Sequence, residues 1–313
     1  MRKVLRFAVA LIFKANFFHW VFFLLFLWLG LIFLGLGRFP HPNEWGIIVY
    51  SIFVATFTVC ITEFADIYAD RFDDKIFRPV NPLASGEISH QTGKKIFILE
   101  NILGIVLLVS LYVLTKNLPL ILALTLGWIG GLAYSLPPLR LKERKIIGPI
   151  EFGFCCSLLP LVGWLTVKPL TSFILAYMLI LFIGGIGVGI ATKLRRTSEA
   201  LNYGLFANNP ETNPLNLKVL GFSLKVKTAI ILEAIFTIGA VILIPVFYIL
   251  KIFNQTLTIL LLLASTPPVL AGITLRIKNP IKDVKHSQKT FTIFCLSLPL
   301  ICIATFIAAL ITI

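Results

Sequence analysis

Residues 62 to 89 read TEFADIYADRFDDKIFRPVNPLASGEIS, and five of the chain's fourteen acidic residues fall within twelve positions of this stretch: Glu63, Asp66, Asp70, Asp73 and Asp74. Asp66, Asp70 and Asp74 recur at four-residue steps. On a helix that spacing stacks side chains along one face, with about 40° of drift per step, and Glu63 and Asp73 fall near the same face. Like charges so placed repel by roughly a few tenths of a kcal/mol per pair even on an exposed helix. A cation relieves the row. Carboxylates without His or Cys partners suit a hard, oxygen-seeking ion, Mg²⁺ above all, which keeps waters and bridges to substrate phosphates. The structural alternative is a solvated acidic helix end. The triple repeat, its position after a long apolar run, and the basic and turn-forming residues that follow favour the cation.

The rest of the chain defines the setting. Of its 313 residues 58% are hydrophobic and 13% charged, with a mean hydropathy of +0.95; an ordinary soluble domain carries about twice that charge. The composition predicts an all-α, polytopic membrane protein in a single domain, 1–313. Nine apolar stretches reach the spanning length of about 20 residues. They lie near 17–37, 46–66, 96–115, 118–136, 148–167, 170–192, 228–250, 256–275 and 291–313. Taken alternately, these spans leave twenty-four of the twenty-eight Lys and Arg on one side, and only Arg38, Lys116, Lys168 and Lys251 on the other. The positive-inside rule then places the N-terminus and the aspartates in the cytoplasm and the C-terminus outside, as expected in a prokaryotic cytoplasmic membrane. The cytoplasmic loops expected to carry a site are 67–93, 137–147 and 193–227.

The net charge of +14 does not point to nucleic acid, because the cations stand in short loops beside apolar helices, where topology and anionic headgroups account for them. Residues 1 to 13 read as an interfacial lead-in rather than a cleaved signal peptide. Cys60, Cys155, Cys156, Cys295 and Cys302 lie within the spans without metal-ligand spacing and read as packing residues. Lys14 reads as a snorkelling cation and His19 as a packed or interfacial residue. Glu233 is an acid within a span, a functional candidate by default, or one side of a helix–helix hydrogen bond when protonated. Glycines 184, 185, 187 and 189 permit close helix packing. Pro79 and Pro82 stop the acidic helix, and residues 83 to 93 (LASGEISHQTG) suit a short capping or re-entrant element over a cation site.

At these residues the chain resembles the UbiA superfamily of intramembrane prenyltransferases. The family's first signature is Asn or Asp, Asp and Asp at four-residue steps, followed by Lys-Pro or Arg-Pro and an L/I-x-SG-x-I-S stretch. Asp66 stands at the usual Asn, Asp70 and Asp74 match the two aspartates, and Arg78, Pro79, Pro82, Ser85, Gly86 and Ser89 follow in register; Asn81 replaces a common Arg. A second similarity is AYSLPPLRLKER, 133 to 144, against the family's YSxPPLRLK. That wording is closer to members acting on quinone precursors, chlorophyllides or carotenoids than to those making archaeal ether lipids. Where the family carries a second aspartate signature near KDxxDxxGD, this chain has Lys193, Arg195 and Arg196, although NLKVLGFSLKVKTA resembles the stretch downstream of it.

The resemblance implies nine helices around a central cavity and Mg²⁺-dependent transfer of a prenyl group from an isoprenoid diphosphate to a lipophilic acceptor, whether quinone precursor, chlorin, carotenoid or lipid, among membrane lipids. It implies Mg²⁺ on Asp66, Asp70 and Asp74, which would neutralise the leaving group. Arg78, Arg140 and Lys142 would add fixed positive charge at the diphosphate, and Tyr134 would steady a developing carbocation or bond the diphosphate. Three accounts of the altered second signature stand side by side. Lys193, Arg195 and Arg196 neutralise the diphosphate in place of a second metal; or the enzyme transfers phosphoribosyl to a polyprenyl phosphate; or the protein binds isoprenoid without catalysis. A transporter would want polar or broken helices at mid-membrane, whereas the polar residues here gather at helix ends. Oligomeric state is not encoded in any of these features.

Overall fold

A run of apolar residues can satisfy its backbone polar groups in lipid only as a helix or a closed barrel. A computed structural model, which describes residues 17–72, 74–77, 81–144, 146–202, 226–277 and 284–313, uses the helix throughout; no strand occurs among the described residues. The long helices are α1 (Phe17–Leu36), α2 (Trp45–Ala69), α3 (His90–Thr115), α4 (Leu118–Ser135), α5 (Ile147–Leu165), α6 (Ser172–Asn202), α7 (Val226–Ile249), α8 (Gln255–Ile277) and α9 (Val284–Thr312). Two short elements join them on the aspartate side: a helical turn at Asp74–Phe77 and a 3₁₀ turn at Leu141–Glu143.

Each expected span is matched by one helix, but several helices outrun their apolar stretch. α3 starts at His90, where Ser89 accepts a 3.2 Å hydrogen bond from the Thr92 amide and so caps the helix; the expected loop over residues 83–93 is therefore a set of turns that ends in a helix start. α6 continues through Lys193, Arg195 and Arg196 to Asn202, so the first part of the expected loop 193–227 is helix. Charge ends a hydropathy window; it does not end a helix, and Lys, Arg, Ala and Leu are all good helix formers. Six helices, α2 to α7, are long and apolar enough over their described residues to cross a membrane, while α1, α8 and α9 show shorter described apolar stretches, Phe22–Leu36, Gln255–Ala271 and Leu298–Thr312.

Neighbours in sequence are neighbours in space along α4, α5, α6, α7, α8 and α9, and α9 packs in turn on α1, so the chain of helices closes on itself. α2 packs between α3 and α4. Close approach depends on glycine. At the α5–α6 crossing an added Cβ on Gly185 would lie 2.8 Å from the Cα of Gly153, and one on Gly153 would lie 2.5 Å from the Phe182 carbonyl oxygen. The core of the ring is apolar, with Trp28, Leu31, Ile61, Leu120 and Ile174 fully buried. The outer surface is apolar as well: Leu99, Ile102, Ile105, Val109 and Val113 stand exposed along α3. A surface of that kind is tolerated in lipid and not in water, which makes this an integral, multi-pass membrane protein.

Candidate active site

The four-residue spacing predicts Asp66, Asp70 and Asp74 along one face of a single helix. The structure corrects this. α2 ends at Ala69, and Asp70 is its C-cap, with φ −85° and ψ 1°. The amides still follow a helical path, Asp70 N to Asp66 O at 2.9 Å and Asp74 N to Asp70 O at 2.7 Å, but Asp74 begins the separate turn Asp74–Phe77. Its side chain goes to a different partner. Asn81, buried, donates from Nδ2 to Asp74 Oδ2 at 2.8 Å and to the Ile67 carbonyl at 3.2 Å, while its Oδ1 accepts from the Leu83 amide at 2.9 Å. Asn81 thus ties the segment after the aspartates back to the end of α2, and two carboxylates remain on the α2 face.

Those two share one cation. Lys142 Nζ lies 2.7 Å from Asp66 Oδ1 and in direct contact with Asp70 Oδ1. The side chains of Lys142 and Asp70 are each only 4% exposed, and that of Asp66 is 23% exposed. Ser135, the last residue of α4 and itself buried, donates to Asp66 Oδ1 at 2.9 Å. Arg140 Nη2 lies 3.2 Å from Asp70 Oδ1, and Arg140 Nε lies 2.8 Å from Glu143 Oε1. The segment that supplies these cations turns sharply after α4: Arg140 occupies the left-handed region at φ 37°, then the 3₁₀ turn swings Lys142 inward under the end of α2.

The approach of α4 to α2 is what brings Ser135 to Asp66. One helical turn earlier on each helix, Gly131 faces Thr62, and a Cβ on Gly131 would come within 2.5 Å of Thr62 Cγ2. No side chain larger than hydrogen fits there without moving one of the helices. On the far side of α4, Glu151 of α5 lies against Gly130, with its Oε1 2.6 Å from where a Cβ would stand. Tyr134 packs toward α5, its ring tilted against Phe152 at 6.2 Å. Lys193, on α6, donates to the Arg144 carbonyl at 2.9 Å and so reaches the same loop from the opposite helix. Arg78 and the side chains of Arg195 and Arg196 fall outside the described residues, as do Lys14 and the side chains of His19 and His286.

Among the described residues, no three Asp, Glu, His or Cys side chains converge as a metal site, so the set Asp66, Asp70 and Asp74 is not assembled as three ligands to one ion. The pair Asp66–Asp70 nevertheless fits Mg²⁺. That ion is commonly held by one or two carboxylates, with waters and substrate phosphates completing its shell, and these two carboxylates already converge on a single positive centre, the Lys142 ammonium. Asp66 and Asp70 would hold the ion, and when bound it supplies charge neutralisation at a leaving diphosphate.

Sequence reasoning missed three contributors. Ser135 and Glu143 lie inside the quoted stretch 133 to 144; Ser135 carries no spacing signal because its partner Asp66 is distant in sequence, whereas Glu143 pairs with Arg140 only three residues before it. Glu151 lies within an expected span, 148–167. Glu233 is fully buried in α7, where Thr237 donates to its Oε1 at 3.0 Å, one turn along the same helix.

A cation-bridged aspartate pair at the end of α2 is thus set within a closed array of apolar helices. The model of the UbiA prenyltransferase family matches residues 23–298, and the chain belongs to that family. Among solved structures it is similar to a digeranylgeranylglyceryl phosphate synthase in membranes, at 19% identity over 99% of both chains with a TM-score of 0.68. It is also similar to a UbiA homologue from Archaeoglobus fulgidus, at 18% identity over 92% of this chain and 96% of that one, TM-score 0.58. The same homologue bound to GPP and Mg²⁺ matches at 17% identity over 92% and 99%, TM-score 0.52. At these identities the likeness establishes the fold. No curated protein matches the sequence.

Proposed function

We propose that the protein transfers a prenyl group from an isoprenoid diphosphate to a lipophilic acceptor in an Mg²⁺-dependent reaction at the cytoplasmic face of the membrane. The observation that carries this reading is the convergence of Asp66 and Asp70 on one positive centre, with Arg140 2.8–3.2 Å from its two carboxylate partners beside them. The A. fulgidus homologue bound to GPP and Mg²⁺ supports the donor class and the ion by family likeness. The proposed topology is nine crossings with the N-terminus inside and the C-terminus outside, which rests on the charge asymmetry of the loops.

In this reading the donor's diphosphate enters between the end of α2 and the Arg140–Lys142 turn. Lys142 and Arg140 bind the diphosphate oxygens and stabilise the negative charge that accumulates as the allylic carbon–oxygen bond breaks. Ser135 orients Asp66, and Asn81 holds Asp74 and the following segment in place. Arg78, Lys193, Arg195 and Arg196 supply further fixed positive charge where the family's second aspartate signature is altered. Tyr134 stands on the apolar side, where its ring steadies the allylic cation. The apolar helix interior accommodates the isoprenoid chain and keeps water from the cation, leaving an electron-rich acceptor atom to attack it.

The test is product analysis by mass spectrometry with purified protein, Mg²⁺, a panel of prenyl diphosphates and phosphoribosyl diphosphate, and membrane lipid extract as acceptor. The expected result is an Mg²⁺-dependent product heavier by one prenyl unit, abolished by EDTA and reduced at least about a hundredfold by Asp70→Ala, the scale on which loss of a preorganised electrostatic group acts. A phosphoribosyl adduct would replace this reading with phosphoribosyl transfer. Binding of prenyl diphosphate without any product would reduce the protein to an isoprenoid binder.

A further inference from the structure

A cavity of about 690 Å³ opens at the end of the helices opposite the aspartates, where α1, α5 and α7 finish and α6 and α8 begin. That volume is within the range of about 300–1,000 Å³ usual for ligand pockets. Its wall is aromatic and well fixed. Trp164 stacks on Phe173 with ring centroids 4.7 Å apart, Phe173 meets Phe253 edge-on at 5.4 Å, and Trp164 Nε1 donates to the Pro169 carbonyl at 2.8 Å. Lys168 and Lys251 stand at its rim, with the Lys168 ammonium 5.5 Å from the centroid of the Trp164 ring. Thr171 also lines the cavity, and its Oγ1 is buried without a hydrogen-bond partner.

The charge here is unbalanced. Of the four basic residues that the alternation of spans assigns to this end, Arg38 is held by Glu44 through two contacts of 2.8 Å. Glu44 is the single acid in the sequence segments that join helices at this end, and among the described residues it pairs with Arg38 rather than with Lys168 or Lys251. Two ammonium groups at a bundle end otherwise poor in cations, above an aromatic wall and a buried hydroxyl that lacks an acceptor or donor, form a site with defined chemical needs: an anionic head with oxygens to meet the lysines and Thr171, and an apolar continuation to lie on the rings.

We propose that this cavity binds the phosphate headgroup of an anionic phospholipid. The lysines face the phosphate, Thr171 Oγ1 hydrogen-bonds a phosphate oxygen, and the glycerol and first acyl carbons lie against Trp164, Phe173 and Tyr248. None of these residues takes part in the proposed transfer, and the site stands whether or not that reaction is established.

The test uses the full chain in nanodiscs of phosphatidylcholine alone or of phosphatidylcholine mixed with phosphatidylglycerol. Thermal unfolding and retained lipid by native mass spectrometry are the readouts. Wild type is expected to unfold at higher temperature with phosphatidylglycerol present and to retain it. The double variant Lys168→Gln/Lys251→Gln is expected to lose the shift and about tenfold or more in apparent affinity. Lys116→Gln, which removes a lysine of the same end outside the cavity, should keep both. If the double variant does not fold, Lys251→Gln alone carries the test at an exposed position, with a reduced shift expected. Equal phosphatidylglycerol shifts in wild type and in the lysine variant tested overturn the proposal. So does an inorganic phosphate titration that reproduces the full shift in wild type, since it assigns the cavity to free phosphate.

Discussion

Lys142 is the residue whose environment differs most from what its position in sequence suggests. In the sequence it is one of four basic residues between α4 and α5; in the structure it is a buried ammonium touching two carboxylates. Removing one partner of a buried pair leaves the other charge uncompensated, a change that typically costs about 3–5 kcal/mol, whereas replacing both with apolar groups is often near neutral. Lys142→Met is therefore expected to destabilise the protein by about that amount in denaturant unfolding, and Lys142→Met combined with Asp70→Leu to recover part of it, because Asp66 and Arg140 keep their charges. Lys142→Arg tests the role rather than the charge. A guanidinium is larger and planar and should keep stability better than methionine while lowering turnover. Additive effects of Lys142→Met and Asp70→Leu would show that the two side chains are not coupled.

At the scale of the element, the site depends on how closely α4 lies against α2. Gly131→Val puts a branched side chain where a single Cβ already falls 2.5 Å from Thr62, and overpacking of this kind costs about 1–3 kcal/mol. The expected outcome is a lower melting temperature and, through the displaced Ser135–Asp66 contact, a loss of turnover larger than the stability change alone accounts for. Gly127→Ala, one turn away, where a Cβ would meet Leu158 Cδ1 at an ordinary 3.8 Å, should lower neither. The start of α2 supplies a pH-dependent contact. Glu44 is held at about 2, below its ordinary 4.5, chiefly by the hydrogen bonds from Arg38 and secondarily by the His41 amide. A lowered folded-state value means the contribution is complete above about 4.5 and is lost as pH falls toward about 2. The melting temperatures of wild type and Glu44→Gln should accordingly differ at neutral pH and converge on acidification; a gap that persists in acid would assign the effect to packing.

For the whole molecule, the prediction is topological. Cysteines introduced at Lys75 and Lys94, in a background without the native five, should react with a membrane-impermeant thiol reagent only from the cytoplasmic side, and cysteines at Lys116 and Lys251 only from the other. Labelling of all four from one side would remove the alternation of spans on which the nine-crossing reading depends. The helical class, the order of the helices, and the clustering of basic residues at one end were legible in the sequence because each is a local or one-dimensional property: the length of each apolar run and the count of charges between runs.

The site was legible only in part, for a physical reason that the aspartates illustrate. Spacing of four identifies residues that share a face if the helix continues, and the amide bonds from Asp70 and Asp74 show that it nearly does. It does not say where the helix stops, and the end at Ala69 sends Asp74 to Asn81. By itself the sequence determined that this chain is a helical membrane protein of the UbiA family with its acidic signature at the basic end, since hydropathy, charge balance and motif are carried along the chain. Only the tertiary structure decided that Lys142 stands between Asp66 and Asp70, that Ser135 steadies one of them, and that two lysines share an aromatic cavity at the opposite end. Those facts depend on the distance between helices, which is set by small side chains such as Gly131 at crossings that join residues far apart in the chain.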